Sequence, residues 1–209
     1  MKVLESKYNN FSDIDDVVSI LNELDPYFKE SDQNKKISTV IFDPKGTNQV
    51  IKEKLLPDWT PNLPIPKEHK HLGKDVDFYK DGSIIEVQFS NYPFLANNLL
   101  RSEVFYKSNA LVFPHKVRSL TIITKGAFFP SSNSTLYYEQ AKSHLDSWYV
   151  NNIFTIPVRL LGLTIDESSF EDGVWTVYGN RRYARDFLSR KIEKFSINER
   201  GKIVFSNKS

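Results

Sequence analysis

Cysteine is missing from the 209-residue chain, which rules out disulfides, thiolate metal sites and a thiol nucleophile. Chemistry is left to carboxylate, imidazole, hydroxyl and amide groups. Long apolar runs are missing as well: none approaches the roughly 20 residues that cross a bilayer. The opening Met1-Lys2-Val3-Leu4-Glu5-Ser6-Lys7 has no apolar signal core, so a cytoplasmic location is expected. Internal repeats, low-complexity tracts and Gly/Ser linkers are absent, and a single domain over 1–209 with one sizeable core is the expectation. A strong charge imbalance is lacking too. The formal net charge of +2 is too small to announce a nucleic-acid partner by itself. Basic residues do gather late in the chain, at Arg181, Arg182, Arg185, Arg190 and Lys191, and acids early, at Asp13, Asp15, Asp16, Glu23 and Asp25. Two solvated faces account for that distribution equally well.

What is present is an alternation of helical and strand-like patterns. Ser12 with Asp15 resembles a capping box, and Ile14, Val17, Val18, Leu21 and Leu24 follow at helical spacing until Asp25-Pro26. Val40-Ile41-Phe42 runs into the turn residues Asp43-Pro44-Lys45-Gly46, after which a helix over 48–56 and a proline-rich loop over 57–66 are expected. Asp81-Gly82 between two strand-like runs predicts a hairpin over 75–90. Pro93 opens a helix to about Lys107, and a longer helix is expected over 134–150. Apolar strands are expected at 117–124 and 156–163, with shorter strand pieces at 174–178 and 202–205. The sum is a mixed α/β sheet flanked by helices, with a small β-rich subdomain from about 174.

The hairpin carries the chemistry. With Asp81-Gly82 as its turn, Asp77 comes opposite Glu86. Opposed side chains have Cβ atoms about 4.5–5.5 Å apart, so two acids there repel unless a positive charge joins them. Magnesium suits such a site, since it takes one or two carboxylates and further oxygens from phosphate. Strand alternation puts Ile85, Val87 and Phe89 on an apolar face and Glu86, Gln88 and Ser90 on the other. Asp followed by Glu-x-Lys on adjacent strands is the pattern of the PD-(D/E)xK nuclease fold. Here Asp77 and Glu86-Val87-Gln88 match it, with glutamine in place of lysine. A neutral amide supplies no cation and takes no proton, which shifts the activation of water toward the metal and Glu86. By itself this short motif is matched about equally well by a solvated hairpin with surface acids.

The surroundings add specificity. Ile41-Phe42-Asp43-Pro44 with Gly46-Thr47-Asn48-Gln49, Pro64-Ile65-Pro66-Lys67 and Glu86-Val87-Gln88-Phe89-Ser90-Asn91-Tyr92-Pro93-Phe94-Leu95 resemble the BglII family of type II restriction endonucleases. So do Ile122-Ile123-Thr124-Lys125-Gly126, Ser132-Asn133-Ser134, Leu136-Tyr137-Tyr138-Glu139-Gln140-Ala141, and Arg182-Tyr183 with Arg185, in the same order over residues 41–185. The glutamine of Glu-x-Gln is shared with that family. The first part of the N-terminal region and everything after about Asp186 match poorly.

The resemblance implies a restriction-endonuclease-like α/β fold and a homodimer that cuts double-stranded DNA at A^GATCT, leaving four-base 5′ overhangs, one strand per subunit. A relaxed R^GATCY site, another nuclease of the same fold and an inactive DNA-binding module are the alternatives; the intact Asp77, Glu86 and Gln88 argue against the last. Carried over, the Mg²⁺ ligands are Asp77, the backbone carbonyl of Val87 and Glu86. Glu86 and Gln88 orient water, and Asn62 supports the site from the proline-rich loop. The implied DNA contacts are Ser90, Asn91, Asn133, Ser134, Arg181, Arg182, Tyr183 and Arg185. Asparagine suits adenine and arginine suits guanine or phosphate, although Asn91, Asn133 and Ser134 also suit helix capping. The helices over 93–107 and 134–150 resemble that family's dimer interface, and a companion DNA methyltransferase is implied. His69, His71, His115 and His144 receive no role.

Overall fold

The computed structural model describes residues 1–12, 16–31, 39–108, 113–131, 135–165, 171–179, 186–198 and 202–205. Its backbone is a six-stranded mixed sheet in the order β1-β8-β7-β6-β5-β4. These strands are β1 (Lys2–Tyr8), β4 (Thr60–Pro64), β5 (Asp75–Lys80), β6 (Ser83–Val87), β7 (Ser119–Lys125) and β8 (Val158–Thr164). A second, five-stranded sheet runs β11-β10-β9-β2-β3, from β2 (Tyr27–Glu30), β3 (Val40–Phe42), β9 (Glu171–Tyr178), β10 (Phe187–Ile197) and β11 (Ile203–Phe205).

The hairpin forms as its turn chemistry requires. Asp81 and Gly82 have φ of 46° and 85°, both in the left-handed region that a tight two-residue turn demands and that Asp and Gly tolerate. The pairs Lys80↔Ser83, Tyr79↔Ile84 and Phe78↔Ile85 follow, in the register expected from the sequence. β6 then runs parallel to β7, and β7 parallel to β8. Strands covered on both faces read as continuous apolar runs, and every residue of β8 is buried.

Two apolar layers clothe this sheet. On one face Ile84, Leu120, Ile122, Val158 and Leu160 meet Leu95, Leu99 and Phe105 of α3 (Pro93–Lys107) and Ala141 and Leu145 of α4 (Tyr138–Val150). On the other, Ile85, Ile123, Leu161 and Leu163 meet Val17 and Leu21 of α1 (Val17–Asn22) and Ile51 and Leu55 of α2 (Pro44–Leu55). The second sheet adds Phe28, Phe42, Phe195 and Phe205 to this layer. Buried side chains of this kind contribute about 1.5–3 kcal/mol each, so both layers hold the sheet in place.

The structure departs from the sequence reading in several places. The expected proline-rich loop over 57–66 contains β4, an edge strand paired with β5; proline fits there because an edge strand leaves half its N–H groups unpaired. The second helix begins at Pro44, earlier than residue 48, since proline suits a first helical turn. The strands β1, β2 and β10 were not anticipated. The second sheet is also not wholly C-terminal: β2 and β3 complete it through the parallel pairing of β2 with β9. Residues 13–15 of the first helical pattern and residue 134 lie outside the described residues, and the long helix expected from 134 begins at Tyr138, residues 135–137 being non-helical with Tyr137 extended at φ −128°, ψ 157°.

Candidate active site at the open end of the hairpin

Asp77, expected opposite Glu86 across the hairpin, makes a hydrogen bond to the backbone of β6. The backbone ladder between β5 and β6 ends at Phe78↔Ile85. One step further out, the Val87 N–H donates to Asp77 Oδ2 at 2.8 Å, so the carboxylate takes the place of the strand. The next amide, Gln88 N–H, turns the other way and donates to Ile123 O of β7 at 2.7 Å. Peptide groups alternate along a strand, so both the N–H and the C=O of Val87 open toward β5 and Asp77. Asn62 belongs to the same edge. It has φ of 50° and falls in register opposite Asp77, between the pairs Pro61↔Phe78 and Leu63↔Val76.

Glu86 is only 3% exposed. Its Oε1 accepts a hydrogen bond from a terminal nitrogen of Arg101, itself 8% exposed. Two residues along, Gln88 Oε1 accepts from Asn98 Nδ2 at 3.3 Å, and Gln88 Nε2 donates to Ser90 Oγ. The match has a simple origin. Asn98 and Arg101 are three apart on α3 and share a helix face, while Gln88 and Glu86 are two apart and share a strand face. The helix is held in place by Glu103, whose carboxylate accepts from the Thr155 and Ile156 amides at 3.0 and 2.8 Å at the entry to β8. Gly73, with φ of 138°, makes room for the arginine: a Cβ there would lie 2.7 Å from the guanidinium.

The electrostatics follow from this burial. Desolvation pushes the Glu86 carboxyl up to about 8, with Arg101 pulling it back and Asp77 adding to the rise. Asp77 is also raised by burial, against the lowering effects of the Val87 amide and Arg101. Both groups favour a cation over the bare carboxylate. The positive charge expected between the acids is therefore supplied in part by Arg101, a residue absent from the sequence reading. Its signal was available: Asn98 and Arg101 interrupt the apolar inward face of Leu95, Leu99 and Phe105.

The structure brings Asp77, Glu86, Val87, Gln88 and Asn62 to one edge, with Ser90 and Asn91 exposed in the loop that follows β6. Asn91 does not cap α3 with its side chain; its backbone carbonyl accepts the Phe94 N–H at 3.2 Å and the N-cap position is Tyr92. Asn133, Ser134, Arg181, Arg182, Tyr183 and Arg185 lie outside the described residues. His69 and His71 sit with ring centroids 6.4 Å apart, and the His144 and Tyr92 rings are tilted at 38° with centroids 4.3 Å apart. No group of three or more His, Asp or Glu among the described residues makes a metal cluster. The donor set at Asp77 is thus one carboxylate plus backbone oxygen, which suits a hard cation that keeps several waters and takes phosphate oxygens. Among the described residues, no helix is long and apolar enough to cross a membrane.

Comparison with known proteins places this geometry. The chain is 43% identical to the type II restriction enzyme BglII of Bacillus subtilis, over 99% of this chain and 93% of that protein. A crystal structure of restriction endonuclease BglII complexed with a DNA 16-mer superimposes with a TM-score of 0.92 at 42% identity, covering 98% of this chain and all of the other. A crystal structure of free BglII gives 0.77 at 40% identity, with the same coverage. The family model for restriction endonuclease BglII/BglIII matches residues 2–163, and with these relatives it establishes that the chain belongs to the BglII/BglIII family of restriction endonucleases.

Proposed function

We propose that this protein is a type II site-specific deoxyribonuclease that acts as a homodimer on double-stranded DNA. Its site is a palindromic hexamer containing GATC, A^GATCT, cut by Mg²⁺-assisted hydrolysis to leave four-base 5′ overhangs. The observation that carries this reading is the Asp77 carboxylate clamped to the Val87 amide, with Glu86 and Gln88 fixed on the same strand by α3.

The chain's own groups divide the work. Asp77 commits Oδ2 to the Val87 amide, which orients its other oxygen, together with the Val87 carbonyl, as the cation-binding pair; Glu86 completes the acidic lining. When bound, Mg²⁺ supplies positive charge against the phosphate and acidifies water for the attack. Glu86 holds and aligns that water, with Arg101 limiting how far its carboxylate can swing. Gln88 is anchored at both ends of its amide and fixes the other side of the water's position, while Asn62 supports Asp77 from β4. Water attacks phosphorus in line and the sugar oxygen leaves, with no covalent enzyme intermediate.

Recognition falls to Ser90 and Asn91 in the loop after β6, with Asn133 and Ser134 before α4 as their counterparts. Arg181, Arg182, Tyr183 and Arg185 contact phosphates and the flanking bases. Phe94, Leu100 and Val104 leave an apolar stripe on α3, Leu100 being 57% exposed, which fits an isologous contact between two copies. A DNA methyltransferase acting on the same site is the functional counterpart. Incubation of plasmid DNA with Mg²⁺ followed by sequencing of the ends tests the proposal. Discrete ends at A^GATCT support it, and scattered ends or none refute it.

A further inference from the structure

Lys125, the last residue of β7, is fully buried, and its surroundings join two segments that the sequence keeps far apart. Its Nζ donates to Phe89 O at 3.3 Å and to Leu136 O at 2.9 Å, and it lies 4.3 Å from the centroid of the Tyr137 ring. Phe89 opens the loop that carries Ser90 and Asn91; Leu136 and Tyr137 lead into α4. Two further bonds bind the same pair of segments: Leu136 N–H donates to Ser90 O at 3.2 Å, and Tyr92 N–H donates to Thr135 Oγ1 at 3.2 Å. On the α4 side, Ser131 Oγ and Tyr137 OH are 2.7 Å apart, and the Ala127 N–H donates to the Glu139 carboxylate at 3.1 Å. Each segment is therefore fixed to the sheet and to the other.

A buried ammonium is costly unless it is solvated by the protein. Here carbonyl dipoles from both segments and an aromatic face replace water. If either segment shifts, the ammonium loses a ligand it cannot replace, so the lysine sets the distance between them.

We propose that Lys125 is a positioning residue for sequence discrimination: by holding the carbonyls of Phe89 and Leu136 together it fixes the spacing between the two segments that present base-reading side chains. Its contribution is to specificity, and neither cation binding nor the attack on phosphorus requires it. The inference rests on the restriction-endonuclease reading above, because only a protein that reads bases has discrimination to lose. Lys125→Met keeps the length of the side chain and removes the donors and charge. Thr135→Ala cuts the exposed bond to the Tyr92 amide and leaves the interior untouched, so it serves where Lys125→Met does not fold.

The experiment measures cleavage rates of the full-length wild type and both variants on the cognate duplex and on duplexes carrying one substituted base pair, with binding to a random duplex alongside. In Lys125→Met the cognate-to-substituted rate ratio should fall by about tenfold or more, the scale of weakening one good base contact. Thr135→Ala should lower it less, and random-duplex binding should be unchanged. A folded Lys125→Met that is slower on all duplexes in equal proportion overturns the inference, because that is the signature of general destabilisation. If Lys125→Met does not fold, an unchanged ratio in Thr135→Ala overturns it and a lowered ratio upholds it. A wild type that cuts at no discrete site overturns the nuclease reading and this inference together, whereas a site-specific wild type with variants of equal ratio overturns this inference alone.

Discussion

Two buried cations reach into the ends of neighbouring strands, and they are solvated in different ways. Arg101 meets the carboxylate of Glu86 beside the acidic edge of β6. Lys125, at the end of β7, meets carbonyl oxygens and the face of Tyr137. The residue types suit these surroundings. A guanidinium is a rigid, permanently charged fork that orients a carboxylate, whereas an ammonium is a compact charge able to gather backbone oxygens from several directions. The arginine therefore acts on a buried acidic side chain. The lysine acts on backbone placement. Damage at the first end should show in rate and stability, and damage at the second in selectivity.

The largest effect is expected at the acidic edge. Asp77→Ala should reduce Mg²⁺-dependent cleavage by at least about 10³-fold, since it removes the principal cation-binding oxygen, while a gel-shift assay still shows the same duplex retarded. Comparable cutting by this variant would overturn the metal assignment. Arg101→Met should destabilise the fold by about 3–5 kcal/mol in chemical denaturation, because it strands a buried carboxylate. Combining it with Glu86→Met should recover much of that loss without restoring cleavage. A single variant as stable as the wild type would show that the pair is solvated and the contrast with Lys125 is mistaken. Asn91→Ala should cost about 1–3 kcal/mol of discrimination at one base pair, read as relative cleavage rates over singly substituted duplexes, with the other positions unaffected.

The last expected effect concerns pH. Burial lowers the Lys125 pKa from 10.5 to about 8. Between these values the unfolded chain binds more protons than the folded one, so raising the pH favours the folded state. The stability of the wild type relative to Lys125→Met should therefore increase from pH 8 to pH 10.5. Thermal melts of the two proteins at both ends of that window provide the check. At this chain length, a contribution of about 1 kcal/mol moves Tm by about 2–4 °C.

Much of the candidate edge was legible because its signals are local. Asp81-Gly82 specifies the turn, the turn specifies the register, and the register carries Asp77 and Glu86 to one end of the hairpin. Pro93 and the helical spacing after it marked α3 with the bounds observed. The strands β1 and β10 were missed for the converse reason. β1 has no fully buried residue, and β10 buries only Phe195 among eleven residues, so neither carries the apolar pattern that announces a strand. β1 owes its conformation to pairing with β8, where Lys2 meets Thr164, and no local rule connects residues so distant.

The amino-acid order by itself determined the tight turn, the polar and apolar faces of β6, and the oxygen-rich chemistry of a chain without thiols. Tertiary structure alone decided that Asp77 bonds the Val87 amide, that α3 delivers Asn98 and Arg101 to Gln88 and Glu86, and that Lys125 joins two segments 47 residues apart, from Phe89 to Leu136. The physical reason is range. Backbone preference and side-chain periodicity act over a few neighbours, but whether a buried charge is tolerated depends on groups that only the folded chain brings within hydrogen-bonding distance.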